Sequence, residues 1–129
     1  MIVERFIAAC ETEEWTNDRG NHVTAVHGLD GDRYLFDFQA CTAAEGWEQW
    51  DTEQDASYFG VWIHRGARLT LTYAEGDLTL VRCPTAETFR AEIAHAEGFY
   101  GDAPVVARGI DADGAVTEYV SDRASADSL

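Results

Sequence analysis

The chain has 129 residues, of which 46% are hydrophobic, and it carries a formal net charge of −15 at pH 7. All nine basic residues are arginines, which excludes a Schiff-base lysine or a P-loop lysine supplied by this chain. The lack of a basic patch argues against direct nucleic-acid binding, and no apolar run approaches the roughly 18 residues of a membrane span. The length predicts one globular domain over residues 1–120, and the small polar residues 121–129 predict a disordered tail.

The placement of cysteine and histidine predicts neither a disulfide nor a metal site. Cys10, Cys41 and Cys83 are odd in number and far apart in the sequence, a pattern typical of reduced thiols in a cytoplasmic protein. The four histidines follow no metal-ligand spacing, and the sequence has no glycine-rich dinucleotide loop. We therefore expect a cytoplasmic protein without a metal or another cofactor.

The acidity has more than one interpretation. One is the solvated surface of a salt-adapted protein. Another is a DNA mimic, whose carboxylates imitate phosphates in order to occupy a nucleic-acid-binding partner, and a third is an acidic surface for some other basic partner. Salt separates the first two interpretations, because higher ionic strength stabilises a salt-adapted fold but weakens the binding of a mimic to its partner.

The first forty residues predict a short strand followed by a hairpin. Residues 1–10 are apolar without sustained helical spacing, which favours a strand. Asp30-Gly31 lies between two alternating runs and is a two-residue turn signal. Residues 22–39 therefore predict a hairpin in which Ala25 pairs with Phe36.

A long acidic segment, residues 40–57, carries Trp47 and Trp50. Thr42 and Glu45 match a capping box, and the spacing of the two tryptophans would place their indoles side by side on one helical turn. Such a turn would seal one end of the sheet. The alternative is an interaction loop, a lid or partner-binding segment that presents both tryptophans.

Residues 58–82 predict a meander of three strands. A three-residue loop at residues 65–67 pairs Trp62 with Thr70 and separates apolar from polar side chains, as antiparallel sheets usually do. A two-residue loop would mix the two kinds of side chain, so we prefer the longer loop. A second turn, around Glu75-Gly76, extends the apolar face, whose expected members are Phe59, Val61, Ile63, Leu69, Leu71, Tyr73, Leu78 and Leu80.

A principal helix is predicted at about residues 85–98. Pro84 suits the first turn of a helix, and Gly98 provides a stop signal. Phe89, Ile93 and Ala96 fall on one stripe, which we expect to cover the apolar face of the meander. Residues 105–110 and 115–120 predict a last hairpin. The fold is therefore expected to be α+β, with a mainly antiparallel sheet of about five to seven strands and one principal helix on one face.

The face of the meander opposite the predicted helix is the candidate site. Its expected residues are Tyr58, Trp62, His64, Arg68 and Thr70, a mixture of aromatic and polar groups that is typical of a shallow ligand pocket. In such a pocket Arg68 would hold an anionic or carbonyl group, while His64 would act as an acid or base with carboxylate help from Asp37. The alternative is that the N-terminal hairpin covers this face.

Another constellation uses Cys83, which directly precedes the predicted helix. With His64 and Asp77 it would supply a nucleophile, a base and an orienting carboxylate. A cysteine of this kind is more commonly a small core residue.

Two classes of function follow from these residues. The first is a non-catalytic binding or regulatory domain whose partner is a protein or a small molecule, because the sequence contains no catalytic motif. The second is a small enzyme of hydrolase or isomerase type that uses Trp62, His64 and Arg68. The sequence leaves the oligomeric state open, a homodimer included.

Overall fold

The computed structural model of the chain describes residues 1–29, 45–51, 59–74, 76–98, 105–110 and 116–121. Two helices and eight strands lie within these residues: α1 (Ile2–Ala8), β1 (Glu13–Thr16), β2 (His22–Val26), β3 (Glu48–Asp51), β4 (Phe59–His64), β5 (Leu69–Ala74), β6 (Asp77–Arg82), α2 (Ala86–Glu97), β7 (Val105–Ile110) and β8 (Val116–Ser121).

The described strands form one sheet in the order β1-β2-β6-β5-β4-β3-β7-β8. Every neighbouring pair is antiparallel. The predicted α+β class is therefore confirmed, with one strand more than the expected upper limit. Within the described residues, neither helix is long and apolar enough to cross a membrane.

Helix α2 is the predicted principal helix, and its start is explained by its sequence. Thr85 is the N-cap, and its hydroxyl accepts a hydrogen bond from the Thr88 amide at 3.1 Å. The Thr88 hydroxyl in turn accepts one from the Thr85 amide at 3.2 Å, so two amides left over at the helix start are satisfied. Phe89 and Ile93 are buried on the stripe that faces the sheet.

The register between β4 and β5 differs from the expected one. His64 pairs with Leu69 and Trp62 pairs with Leu71, so a four-residue loop, residues 65–68, joins the two strands. The last residue of this loop, Arg68, has a φ of 53°, which is in the left-handed region that helps to reverse the chain. The predicted three-residue loop is therefore wrong. The predicted turn between β5 and β6 is confirmed, since Ala74 pairs with Asp77.

The register prediction failed because both faces of the sheet are buried. Leu80 and Val81 are consecutive on β6 and point to opposite faces, yet they are only 1% and 5% exposed. One core lies between the sheet and α2 and contains Val23, Trp50, Val61, Ile63, Val81, Cys83, Phe89, Ile93 and Ala96. The other lies on the α1 side and contains Val3, Ile7, Val26, Trp47, Trp62, Leu69, Leu71, Tyr73, Leu78 and Leu80. A doubly covered sheet does not separate apolar from polar side chains.

Helix α2 packs on the sheet as predicted and covers Val61 and Ile63 of the expected apolar face, but the members of that face on β5 and β6 lie on the opposite side. It lies against Ile63 and Val81, whereas Leu71 and Leu80 belong to the core on the α1 side. The two helices thus cover opposite faces of the central strands.

The N-terminal segment is a helix, so the prediction of a strand at residues 1–10 is wrong. Val3 and Ile7 are four residues apart on α1, and both are buried in the second core. The Arg82 guanidinium pairs with the Glu4 carboxylate at 2.9 Å and ties α1 to the end of β6. A seven-residue helix is marginal by itself, so this packing is what stabilises it.

The hairpin predicted for residues 22–39 also needs correction. Strand β2 is present, but β1 occupies one of its edges and β6 the other. Ala25 pairs with Glu13 and Thr79, which excludes the expected pairing with Phe36. Phe36 itself lies outside the described residues. The last predicted hairpin is confirmed, since β7 pairs with β8 from Ile110↔Val116 outward.

Candidate functional site

The structure distributes the predicted pocket residues over both faces of the sheet. Thr70 pairs with Ile63 and lies on the α2 side, whereas Trp62 lies in the core on the α1 side. Arg68 is an exposed loop residue. Trp62, Arg68 and Thr70 do not line one surface, so the expected arrangement is wrong. Two further members of the prediction, Asp37 and Tyr58, lie outside the described residues.

His64 connects two loops through its ring nitrogens. The Ala67 amide donates a hydrogen bond to Nδ1 at 3.0 Å, so Nδ1 is the acceptor and Nε2 carries the proton that reaches the Glu45 carbonyl oxygen at 3.1 Å. The ring also meets Trp47 edge-on, with 5.3 Å between ring centroids. Both nitrogens are therefore engaged by the backbone, which favours a structural role over acid–base work.

Trp47 and Trp50 are buried, and they lie in different cores. Each is 2% exposed, Trp47 on the α1 side and Trp50 on the α2 side. Because Trp50 lies on a strand, the predicted helical turn with both indoles side by side is wrong. The prediction that the two tryptophans present themselves to a partner is not supported by this burial.

Cys83 is a core residue next to α2 and not an activated thiol. It is 5% exposed. Burial, together with the nearby Glu92 carboxylate, raises the pKa of the Cys83 thiol to about 12. Asp77, the proposed orienting group, accepts a hydrogen bond from His27 instead of His64.

A cleft beside α2, here called the α2 cleft, combines polar groups from distant parts of the chain. It has a volume of about 230 Å³. The sheet forms its floor through five side chains of β2, β5 and β6: Val23, Thr70, Thr72, Thr79 and Val81. Its walls carry three residues of α2 (Glu92, His95 and Ala96) and three from β1 and the loop after it (Trp15, Asn17 and Arg19).

Glu92 is the group that holds one wall of the α2 cleft together. Its oxygen Oε1 accepts hydrogen bonds from Asn17 Nδ2 at 2.8 Å and from Asn21 Nδ2 at 2.9 Å. Its other oxygen, Oε2, accepts one from Arg19 Nε at 3.0 Å. The Glu92 side chain is only 4% exposed, and a buried carboxylate requires such partners. This carboxylate therefore fastens the loop at residues 17–21 to α2.

The protonation state of Glu92 follows from these contacts. Burial acts to raise the pKa of its carboxyl group, because removal from water disfavours the charge. Three hydrogen bonds oppose this effect, and they come from Arg19, Asn21 and Asn17. Together with the positive charge of Arg19 they outweigh the burial and hold the pKa of Glu92 below its ordinary value. Glu92 is thus an ionised anchor, which does not suit it to donate a proton as a general acid.

The loop that carries Asn17 and Arg19 is shaped by its own side chains. The Asn17 side-chain oxygen accepts hydrogen bonds from the backbone amides of Arg19 and Asn21 at 3.0 and 3.1 Å. Gly20 has a φ of 85°, which glycine adopts without steric cost. The loop thus presents Asn17 Nδ2 and Arg19 Nε to the same carboxylate of α2.

Trp15 stands at the rim of the α2 cleft. It lies on β1, an edge strand among the described elements, and it is 43% exposed. Its cross-strand partner is Val23 of the floor. An exposed tryptophan beside a polar cavity offers a flat apolar surface to a ligand.

The α2 cleft is better suited to binding than to bond breaking. Its charged groups are already paired, its floor offers threonine hydroxyls, and Trp15 provides apolar contact. Within the residues that the structure describes, no group of three or more His, Cys, Asp or Glu side chains is arranged to hold a metal ion.

The sequence prediction missed this site, although it identified Thr70. Glu92 lies beside the apolar stripe of α2, between Phe89 and Ile93, and a carboxylate at that position was a signal of a buried ion pair. Its partners come from residues more than 70 positions earlier in the chain, and no local pattern connects them.

Comparisons with family models, with curated proteins and with solved structures gave no significant match to this chain.

Proposed function

We propose that the protein is a non-catalytic binding domain and that its ligand occupies the α2 cleft. The observation that carries the proposal is the combination of an exposed Trp15 with half-buried Thr72 and Thr79 around one cavity. Ligand sites commonly combine an apolar surface with a few fixed polar groups in this way.

The fixed geometry of the wall supports binding. The carboxylate of Glu92 is held by three side-chain donors, so the loop at residues 17–21 is already ordered before a ligand arrives. A preformed wall lowers the entropic cost of binding. The enzyme alternative around Trp62, His64 and Arg68 has no comparable support, because Trp62 is 1% exposed and both ring nitrogens of His64 are engaged by the backbone.

A cytoplasmic location is part of the proposal. The thiols of Cys10 and Cys83 are free, which a reducing compartment preserves. We also propose that the protein does not bind nucleic acid directly, since its net charge is −15.

The proposal is tested by screening a chemically diverse library of small molecules while the backbone amide resonances are followed by NMR. We expect at least one class of compound to shift the amides of Trp15, Thr72 and Thr79 saturably. A Thr79→Tyr variant, which fills the α2 cleft, should abolish these shifts and keep the remainder of the spectrum. The proposal is overturned if no compound shifts these amides, or if shifts occur and the filled variant retains them.

A further inference from the structure

The charges around the α2 cleft disfavour a charged ligand. Arg19 Nε contacts Glu92 Oε2 at 3.0 Å, and Arg19 Nη1 contacts Asp18 Oδ1 at 3.1 Å, so an anion would compete with two carboxylates for one guanidinium. A cation would find the Glu92 oxygens already engaged by three donors. Paired charges are costly to separate when one partner is buried.

The floor of the α2 cleft is suited to hydroxyl groups. Thr72 and Thr79 are cross-strand partners, and both are half-buried at the cavity. A threonine hydroxyl both donates and accepts a hydrogen bond, as does a ligand hydroxyl. Two such groups side by side can therefore match neighbouring hydroxyls of a ligand without any formal charge.

Trp15 adds a requirement for an apolar surface on the same ligand. An indole that is 43% exposed at the rim of the cavity gains most from a flat partner of similar size. A saturated ring that bears hydroxyl groups combines C–H faces for the indole with polar edges for the threonines. The volume of about 230 Å³ is below the range of roughly 300–1,000 Å³ that is usual for drug-sized ligands, so one small ring fills it.

We infer that the ligand of the α2 cleft is a small uncharged ring rich in hydroxyl groups, that is, a monosaccharide unit or a cyclitol. This inference rests on the proposed function. The contacts involved are few, so the affinity of a single ring is expected to be weak, with a dissociation constant of about 1 mM.

The inference is tested with several neutral hydroxylated rings and with two charged derivatives of one of them, glucose. Amide shifts of Trp15, Thr72 and Thr79 are followed during titration with glucose, galactose, mannose and myo-inositol, and with glucosamine and glucuronate as the cationic and anionic counterparts. We expect at least one neutral ring to bind saturably and the charged counterparts to bind at least tenfold more weakly.

Three variants connect binding to named groups. Thr72→Val and Thr79→Val remove a hydroxyl at nearly constant shape, and each is expected to weaken binding at least threefold. Thr16→Val is the matched control, because Thr16 lies exposed on β1 and is not part of the cleft, so its binding should be unchanged. Trp15→Ala should abolish binding, whereas Trp15→Phe should retain part of it.

The outcomes separate this inference from the proposed function. If a charged ring or a hydroxyl-free library compound binds at these amides more tightly than every neutral sugar, the ligand class is wrong and the binding function stands. If neutral rings bind but the threonine variants bind equally well, the assigned contacts are wrong and so is the inference. If no compound of either set shifts the cleft amides, both fall.

Discussion

At the scale of single residues, the largest predicted loss of stability follows from removal of the Glu92 carboxylate. Its removal by Glu92→Ala leaves Asn17, Asn21 and Arg19 without their common acceptor. Leaving a buried donor without its acceptor typically costs about 1–3 kcal/mol, and because three donors are affected we expect a loss of about 3 kcal/mol in urea unfolding. The control is Glu87→Ala on the same helix, an exposed carboxylate whose loss should cost less than about 1 kcal/mol.

The same residue predicts a dependence of stability on pH. The pKa of Glu92 is lower in the folded protein than its ordinary value of 4.5. The stability that the ionised carboxylate contributes is therefore fully present above pH 4.5 and is lost as the pH falls through the folded pKa. The wild-type protein should therefore lose more stability between pH 7 and pH 3 than Glu92→Ala does. Equal losses of stability in the two proteins would contradict the conclusion that Glu92 is ionised and anchors the loop at residues 17–21.

At the scale of elements, α1 is predicted to be a structural part of the core. Ile7 is 4% exposed within the second core, whereas Ile2 on the same helix is 38% exposed. Ile7→Ala is expected to cost about 3 kcal/mol, since large-to-small changes in a core cost roughly 2–5 kcal/mol. The matched change Ile2→Ala should cost less than about 1 kcal/mol. Similar losses in chemical unfolding would show that α1 does not pack as described.

Some elements were predictable from the sequence because local signals decide them. The stripe of Phe89, Ile93 and Ala96 behind a capping threonine is sufficient to define α2. The predicted turn between β5 and β6 fixed their register, since Ala74 pairs with Asp77, and Gly76 has a positive φ of 91°, which is common in tight turns.

Other elements depend on information that the local sequence lacks. In the loop at residues 65–68 the left-handed conformation is adopted by Arg68 and not by a glycine. The composition of the loop therefore does not predict that it has four residues. The alternation of β4 was uninformative because α1 and α2 cover opposite faces. The α2 cleft was equally hidden, since Asn17 and Glu92 meet across 75 positions of sequence.

Strand β1 is predicted to be held more firmly below about pH 6.5 than at higher pH. His27 of the neighbouring segment lies between Glu13 Oε2 at 3.0 Å and Asp77 Oδ1 at 3.1 Å. Hydrogen bonds to Glu13 and then Asp77 raise the pKa of His27 above its ordinary value of 6.5. Below pH 6.5 the charged ring of His27 therefore holds both carboxylates, an arrangement here called the His27 clamp. Its contribution to stability is lost as the pH rises through the folded pKa of His27.

Amide hydrogen exchange measures this clamp directly. After correction for intrinsic exchange rates, protection of the β1 amides should fall as pH rises above 6.5. The variant His27→Gln cannot become charged, so its protection should be lower in acid and independent of pH in this range. Constant protection in the wild-type protein would show that the two carboxylates do not hold the strand through His27.

At the scale of the whole molecule, charge balance predicts that salt stabilises the fold. The chain has 24 acidic residues against nine arginines. Even if each arginine paired with one carboxylate, 15 acidic groups would remain, so repulsion exceeds attraction. Net charge far from zero destabilises the compact state, and the screening length falls from about 10 Å at 0.1 M to about 3 Å at 1 M salt.

The melting temperature should therefore rise with ionic strength, by at least about 4 °C between 0.02 and 1 M NaCl, which corresponds to roughly 1 kcal/mol for a domain of this size. Pairs such as Arg82–Glu4, with N and O 2.9 Å apart, are weakened by the same screening, but exposed pairs contribute little individually. Sodium sulfate at matched ionic strength is the control. Screening alone gives the same rise in melting temperature for both salts, whereas exclusion of the salt from the protein surface gives a larger rise with sulfate. A melting temperature that stays constant or falls with NaCl would mean that the ion pairs outweigh the repulsion among the remaining carboxylates.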